Sequence, residues 1–175
     1  AIAKMDVGYS VVRPNYFMDG FLDLFKVDSS GNITMEVPIG DGKIGAIDPY
    51  DIAETSAALL AGGIPLNGHA LLTGTENISM NRVADAFASV SGRKITYVSP
   101  DPATYRAALE IEGSASAGDI ADIYEEVRSG TAEMVSNEVE RITGTPARSI
   151  EQFASANVAA INAAISGAIS GASVG

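Results

Sequence analysis

The 175-residue chain has no cysteine, no tryptophan and one histidine, and it is poor in basic side chains. Lack of cysteine excludes disulfides, a thiolate nucleophile and zinc sites built on sulfur. The single histidine, His69, stands far in sequence from any cluster of carboxylates, so no metal site is expected. Eleven Lys and Arg face 22 Asp and Glu, a formal net charge of −11. Such a balance lacks the basic patch of a nucleic-acid binder and is repelled by an anionic membrane surface. No basic stretch followed by an apolar run opens the chain, so no signal peptide is visible, which fits a cytoplasmic protein. Gly167, Gly171 and Gly175 repeat every four residues, as in membrane helix pairs. Asn157, Asn162 and the serines of the same tail argue against a membrane span and for a close helix contact instead.

What is present reads as one globular domain over residues 1–175, with 46% hydrophobic and 19% charged residues. Residues 1–6 resemble the last turn of a helix, with Gly8 as its C-terminal glycine. Residues 9–13 form an apolar run with almost no alternation, expected of a parallel strand covered on both faces. Pro14 ends it, an aromatic pair follows, and a short helix is expected over 18–26 with Phe21, Leu22 and Phe25 on one side. Strands are expected at 33–37, 43–47, 69–73 and 94–98. Asp48-Pro49 reads as a helix cap followed by proline at the first helical position, with Asp51 in the first turn. Ser79 starts a helix whose Val83, Ala84, Phe87 and Ala88 keep a 3.6-residue period until Gly92. Further helices are expected over 103–112, over 117–129 with Ile120, Ile123, Tyr124 and Val127 at core spacing, and over 136–143. Ser149 and Gln152 form a capping box opening a last helix, with Ile161, Ile165 and Ile169 in one stripe. The fold class is therefore α/β, with helices concentrated toward the C-terminal end.

Few patterns carry chemistry. Gly40-Asp41-Gly42-Lys43-Ile44-Gly45 spells G-x-G-x-x-G, but a dinucleotide fingerprint must open a helix. Here a strand follows, so the segment reads as a hairpin. None of the six tyrosines has a lysine four residues on, the pair that would lower a tyrosine pKa for proton transfer. Tyr124 with Arg128 reads as an ordinary helix-face pair. Asp48 and Asp51 are explained by capping, and no residue is assigned as catalytic.

In order along the chain stand Val12-Arg13-Pro14-Asn15-Tyr16-Phe17-Met18, Gly40-Asp41-Gly42-Lys43, Ile47-Asp48-Pro49-Tyr50-Asp51-Ile52-Ala53-Glu54 and Leu72-Thr73-Gly74. Ile142-Thr143-Gly144-Thr145-Pro146-Ala147-Arg148-Ser149 and Phe153 follow. Together they resemble the NmrA-like group of atypical short-chain dehydrogenases/reductases, with its NAD(P)H-dependent quinone-reductase-type members, over roughly residues 1–155. The resemblance implies the later strands and C-terminal helical part of a Rossmann-like parallel sheet. It places the glycine-rich turn and most contacts to NADP or NAD in a preceding half that this chain lacks. It implies that Pro14, Asn15, Tyr16 and Phe17 form the cofactor-binding loop that closes over the nicotinamide. It also implies that Phe17 and Phe21 line the substrate pocket. The expected function is the substrate-side portion of a reductase for a small carbonyl or quinone-like acceptor. The alternatives are a module that senses the dinucleotide without turnover, or a relic that kept the pocket as a small-molecule binder or scaffold. An apolar parallel strand without a neighbour invites aggregation. A companion segment or chain, or a homo-oligomer, is therefore the expected partner, beside a small-molecule substrate.

Overall fold

The computed structural model describes residues 7–28, 30–62, 65–111, 113 and 115–172; the helical turn expected over 1–6 lies outside them. Seven strands and seven α-helices follow in the order β1 (Ser10–Pro14), a 3-10 helix (Met18–Leu24), β2 (Phe25–Val27), β3 (Ile33–Glu36), β4 (Lys43–Ile44), α1 (Pro49–Gly62), β5 (Gly68–Leu72), β6 (Ile78–Ser79), α2 (Met80–Ser91), β7 (Ile95–Val98), α3 (Pro102–Ile111), α4 (Ala117–Arg128), α5 (Glu138–Thr143), α6 (Ile150–Ala156) and α7 (Val158–Ala172). The class is α/β, as expected. The strands pair in three small groups. β1 lies parallel to β5; β3 lies between antiparallel β2 and parallel β7; β4 pairs antiparallel with β6.

Helix starts follow their local chemistry. Asp48 Oδ1 accepts from Tyr50 N–H at 2.9 Å, Ser79 Oγ accepts from Arg82 N–H, and Ser149 and Gln152 close a reciprocal capping box. Gly92 and Gly144 end α2 and α5 in the left-handed conformation.

Several expectations need correction. The helix expected over 18–26 is a 3-10 helix, and the chain turns into β2 at Phe25. Met18, Phe21 and Leu24 are its buried residues. Their spacing of three matches the three residues per turn of a 3-10 helix, which stacks them on one face. The strand expected over 43–47 stops at Ile44, and Ile47 instead forms an isolated parallel bridge with Phe17. The last helix is two, α6 and α7, bent by 81° around Asn157. No single helix among the described residues is long and apolar enough to cross a membrane. At Gly167 and Gly171 an added Cβ would meet nothing within 4 Å, so no close helix contact among the described residues uses them; Gly175 lies outside those residues. Ile123 is exposed, whereas Val127 is buried as expected, Tyr124 packs partly buried against the core, and α4 also buries Ala117. β1 is the largest departure. Ser10, Val11 and Arg13 are exposed, Val11 by 40%, and among the described strands β1 pairs only with β5. An apolar run records strand propensity, whereas burial requires neighbours on both sides.

The main core lies among the 3-10 helix, β2, β3, β7, α2, α6 and α7, where the rings of Phe25, Phe87 and Phe153 follow one another. A smaller cluster, with Ile47, Ala70, Leu72, Val139 and Ala147, joins β5 to α5. The two carboxylates at the start of α1 are buried, Asp48 to 3% and Asp51 to 6% exposure. Asp51 Oδ2 accepts the backbone N–H of Arg148 at 2.7 Å, and Asp48 Oδ2 lies 3.4 Å from Arg148 Nη1. The Arg148 guanidinium also stands 3.6 Å over the Tyr50 ring. Burial holds the Asp51 carboxyl above the ordinary carboxylate range, although the Arg148 N–H opposes it.

Asp51→Ala orphans that N–H and is expected to cost about 1–3 kcal/mol in urea unfolding. Asp51→Asn keeps an acceptor. A raised folded-state pKa means that folding disfavours the ionised form, so wild type carries a penalty above the carboxylate range that disappears as pH falls through it. Asp51→Asn is therefore expected to match or exceed wild type at neutral pH and to lose that advantage in acid. Gly74 donates to Ala46 O at 2.9 Å, and a Cβ there would overlap the same oxygen. Gly74→Ala is expected to destabilise by about 1–3 kcal/mol through that overlap, read in the same unfolding experiment.

Candidate functional site

At the carboxyl end of β1 the chain is pinned before it turns away. Asn15 N–H donates to Leu72 O at 2.9 Å, Ile47 N–H to Tyr16 O at 2.8 Å, and Met18 N–H to Ile47 O at 2.9 Å. The loop thus stays in register with β5 while the 3-10 helix buries Met18, Phe21 and Leu24 beneath it. The opposite side of that helix presents Asp19, Gly20 and Asp23. An open pocket of about 400 Å³ results, lined by Asn15, Tyr16, Phe17, Asp19, Gly20 and Asp23. Strand carboxyl ends in open α/β sheets are where ligands bind.

The structure brings Asn15, Tyr16 and Phe17 together on this pocket. Phe17 is 44% exposed and offers a ring face. Pro14 closes β1 opposite Leu72 and does not line the pocket. Phe21 is 2% exposed; its ring stacks under Tyr16 with centroids 5.2 Å apart and faces an apolar cavity with Leu24, Ile39, Met80, Tyr124 and Val127.

Tyr16 belongs to both spaces. Its hydroxyl lies 3.1 Å from where a Cβ on Gly20 would stand, so Gly20 packs closely against the ring end. On its other side it shares the apolar cavity with Tyr124 in α4, beside Tyr105 in α3. The rings of Tyr105 and Tyr124 pack edge to face at 5.7 Å. Burial pushes Tyr16 up to about 12; Asp23, Tyr105 and Asp19 add to the rise, and the hydrogen bond with Tyr124 opposes it. Burial also raises Tyr124, with Tyr16 and Tyr105 reinforcing it. Tyr124 is therefore not the partner of Arg128, which binds Glu125 bidentately instead. Nothing near Tyr105 or Tyr124 in the sequence announces this grouping, because α3 and α4 join the pocket only through tertiary packing.

Behind the pocket, the Asn15 side chain reaches Ala132 O at 3.5 Å, and the buried Asn77 Oδ1 has no hydrogen-bond partner. Gly45 sits between these two side chains and under Met134 O, a position closed to any Cβ.

Other candidates fall elsewhere. His69 is exposed in β5, opposite Val11. Among the described residues no three His, Cys, Asp or Glu side chains gather as a metal site would require. The Gly40–Gly45 segment forms a turn with Gly40 at φ +56 and then enters β4, which pairs with β6. It opens no helix and cradles no phosphate. The pocket has no basic side chain among its lining residues. It therefore offers no cationic partner to a phosphate.

A family model described as the NmrA-like family matches residues 2–159. The chain is 33% identical over 156 residues to the uncharacterized oxidoreductase YesF of Bacillus subtilis, covering 86% of this chain and 54% of that protein. Among solved structures it is similar to an NADPH-dependent quinone oxidoreductase from Escherichia coli, with a TM-score of 0.72, 21% identity, and coverage of 89% of this chain and 57% of the other. It is also similar to NmrA, a negative transcriptional regulator solved with NADP, with a TM-score of 0.59, 18% identity, and coverage of 87% and 53%. The chain spans about half the length of the relatives it matches. Matched over most of its length, with its motifs in the expected order and the loop after β1 forming a pocket, this chain belongs to the NmrA-like family.

Proposed function

We propose that this chain is the substrate-side portion of an NAD(P)H-dependent reductase acting on a small carbonyl or quinone-like acceptor in the cytoplasm. The observation that carries the reading is the open, aromatic-walled pocket at the carboxyl end of β1, formed by Asn15, Tyr16 and Phe17. In this reading Phe17 and Asn15 contact the nicotinamide end of NADP or NAD, and Pro14 fixes where the loop leaves the strand. Phe17 also meets the substrate, while Phe21 acts from below by holding the Tyr16 ring. Bound there, the cofactor would supply hydride; the protein supplies position and a wall that sheds water.

The phosphates need a site outside this pocket, since Asp19 and Asp23 repel them. We place that site, with the main cofactor-binding elements, in a companion: the cofactor-binding half of an NmrA-like protein, which adds a parallel strand to the second edge of β1. The exposed Val11 and the half-length match to the relatives support this reading. A second reading, a sensor that binds the dinucleotide without turnover, draws support from the likeness to the NmrA regulator.

Titration of the chain with NADPH, following nicotinamide fluorescence, is expected to show saturable binding in the micromolar range once the companion half is added. Oxidation of NADPH with a quinone panel then separates reductase from sensor. No binding with the companion present would overturn both readings.

A further inference from the structure

A second cavity, of about 260 Å³, lies between the start of α1 and the segment that links α5 to α6. Asp51, Glu54, Val139, Thr145, Pro146 and Arg148 are among its walls. Several polar groups there are already engaged. The Arg148 guanidinium reaches Asp48 Oδ2 at 3.4 Å and covers the Tyr50 ring. The Thr143 hydroxyl is held between Val139 O and Thr145 N–H. Three oxygen-bearing groups are left. Asp51 is 6% exposed, and among the described residues only the Arg148 N–H donates to its carboxylate, at Oδ2. Its Oδ1 is not sealed off, since Asn77 Oδ1 is the one side-chain polar atom among the described residues that is both sealed and unpartnered. Glu54 and the Thr145 hydroxyl have no hydrogen-bond or ion-pair partner among the described residues.

The charge on Asp51 exceeds what its structural contact needs. Accepting one N–H takes an oxygen, which an amide supplies as well, and the Arg148 guanidinium already has Asp48. Burial makes that charge unfavourable; the Arg148 N–H opposes the effect, and Asp48 and Glu54 add to it. A buried carboxylate with a free oxygen beside a cavity is suited to a cation.

We infer that this cavity takes the primary ammonium group of a small aliphatic amine, with Asp51 Oδ1, Glu54 and the Thr145 hydroxyl accepting its N–H bonds and Val139 and Pro146 meeting the alkyl stem. An ammonium carries three donors and no acceptor, which matches three unengaged acceptor groups. A metal ion fits less well, because no three carboxylate or imidazole groups gather among the described residues. The inference is independent of the reductase reading, since this cavity and the pocket after β1 share no lining residue.

The purified chain is titrated with n-butylammonium chloride, followed by calorimetry and by amide proton–nitrogen NMR. Tetramethylammonium chloride, a cation without N–H, and sodium chloride serve as controls. Saturable binding of n-butylammonium is expected, with amide shifts centred on Asp51, Glu54, Thr145 and Arg148. Tetramethylammonium is expected to bind about tenfold more weakly, since it donates no hydrogen bond. Glu54→Gln is expected to weaken n-butylammonium about fivefold to tenfold, the loss of one charged contact. Asp51→Asn is expected to abolish saturable binding while urea unfolding shows a fold at least as stable as wild type. A purely structural role for Asp51 would not produce that combination. Glu126→Gln removes an exposed acid of α4 with the same change in net charge, and it is expected to bind as wild type does. Equal binding of tetramethylammonium, shifts spread over the acidic surface, or no saturable binding would overturn the inference. Wild-type binding by Asp51→Asn or Glu54→Gln, or an equal loss in Glu126→Gln, would do the same.

Discussion

Two buried carboxylates tie the start of α1 to the segment that leads into α6. Asp48 and Asp51 start α1, and both also hold Arg148, one through its guanidinium and one through its backbone N–H. Arg148 leads directly into the capping box of α6, whose Ile150, Phe153 and Ala154 fill the core. The position of that helix is therefore set from α1, nearly a hundred residues away. The residue before Asp48 has an equal part on the other side of the corner. Ile47 exchanges hydrogen bonds with Tyr16 and Met18, which hold the loop after β1. One dipeptide, Ile47-Asp48, thus fixes both the pocket loop and the C-terminal helices. Carboxylates at 3% and 6% exposure are tolerated because each is engaged by the same arginine or by a helix start.

The charge of the molecule and the shape of its pocket favour the same class of ligand. A surface with twice as many acids as bases does not gather phosphates, and the pocket rim is acidic as well. The one glycine-rich segment that could be mistaken for a phosphate cradle is occupied structurally, because β4 pairs with β6 immediately after it. The walls of the pocket carry aromatic side chains and two acids, and no base. In the NmrA-like family a relative is named an oxidoreductase and a structural neighbour a transcriptional regulator.

The parts legible in the sequence were those whose chemistry is local. Asp48 with Pro49, Ser79, and Ser149 with Gln152 all cap helices as their spacing implies. The loop Asn15-Tyr16-Phe17 was readable as a strand end, and it does line the pocket. The 3-10 helix was misread because its apolar spacing of three sits close to the helical 3.6 and only the burial pattern separates them. The unpaired edge of β1 followed from the resemblance, whereas the exposure of its side chains was not legible, because burial depends on neighbours and not on the strand itself. Nothing in the sequence singled out Asp19, Asp23 or Tyr105, and Tyr124 stood out only by its core spacing. Their meeting with Tyr16 is a product of how α3 and α4 fold back over the loop.

The two parallel pairings have a kinetic consequence. β1 with β5, and β3 with β7, each join segments about 60 residues apart, and the two spans overlap along the chain. Neither pair is a local event, and the stretch between β3 and β5 lies inside both loops. Closing the first loop restricts the chain that must form the second, so the two closures are coupled rather than sequential. Such long-range parallel contacts return energy only after most of the loop entropy has been lost. The chain therefore belongs among the slower-folding domains, and its intermediates expose apolar strand edges for longer than a helical bundle of the same size would.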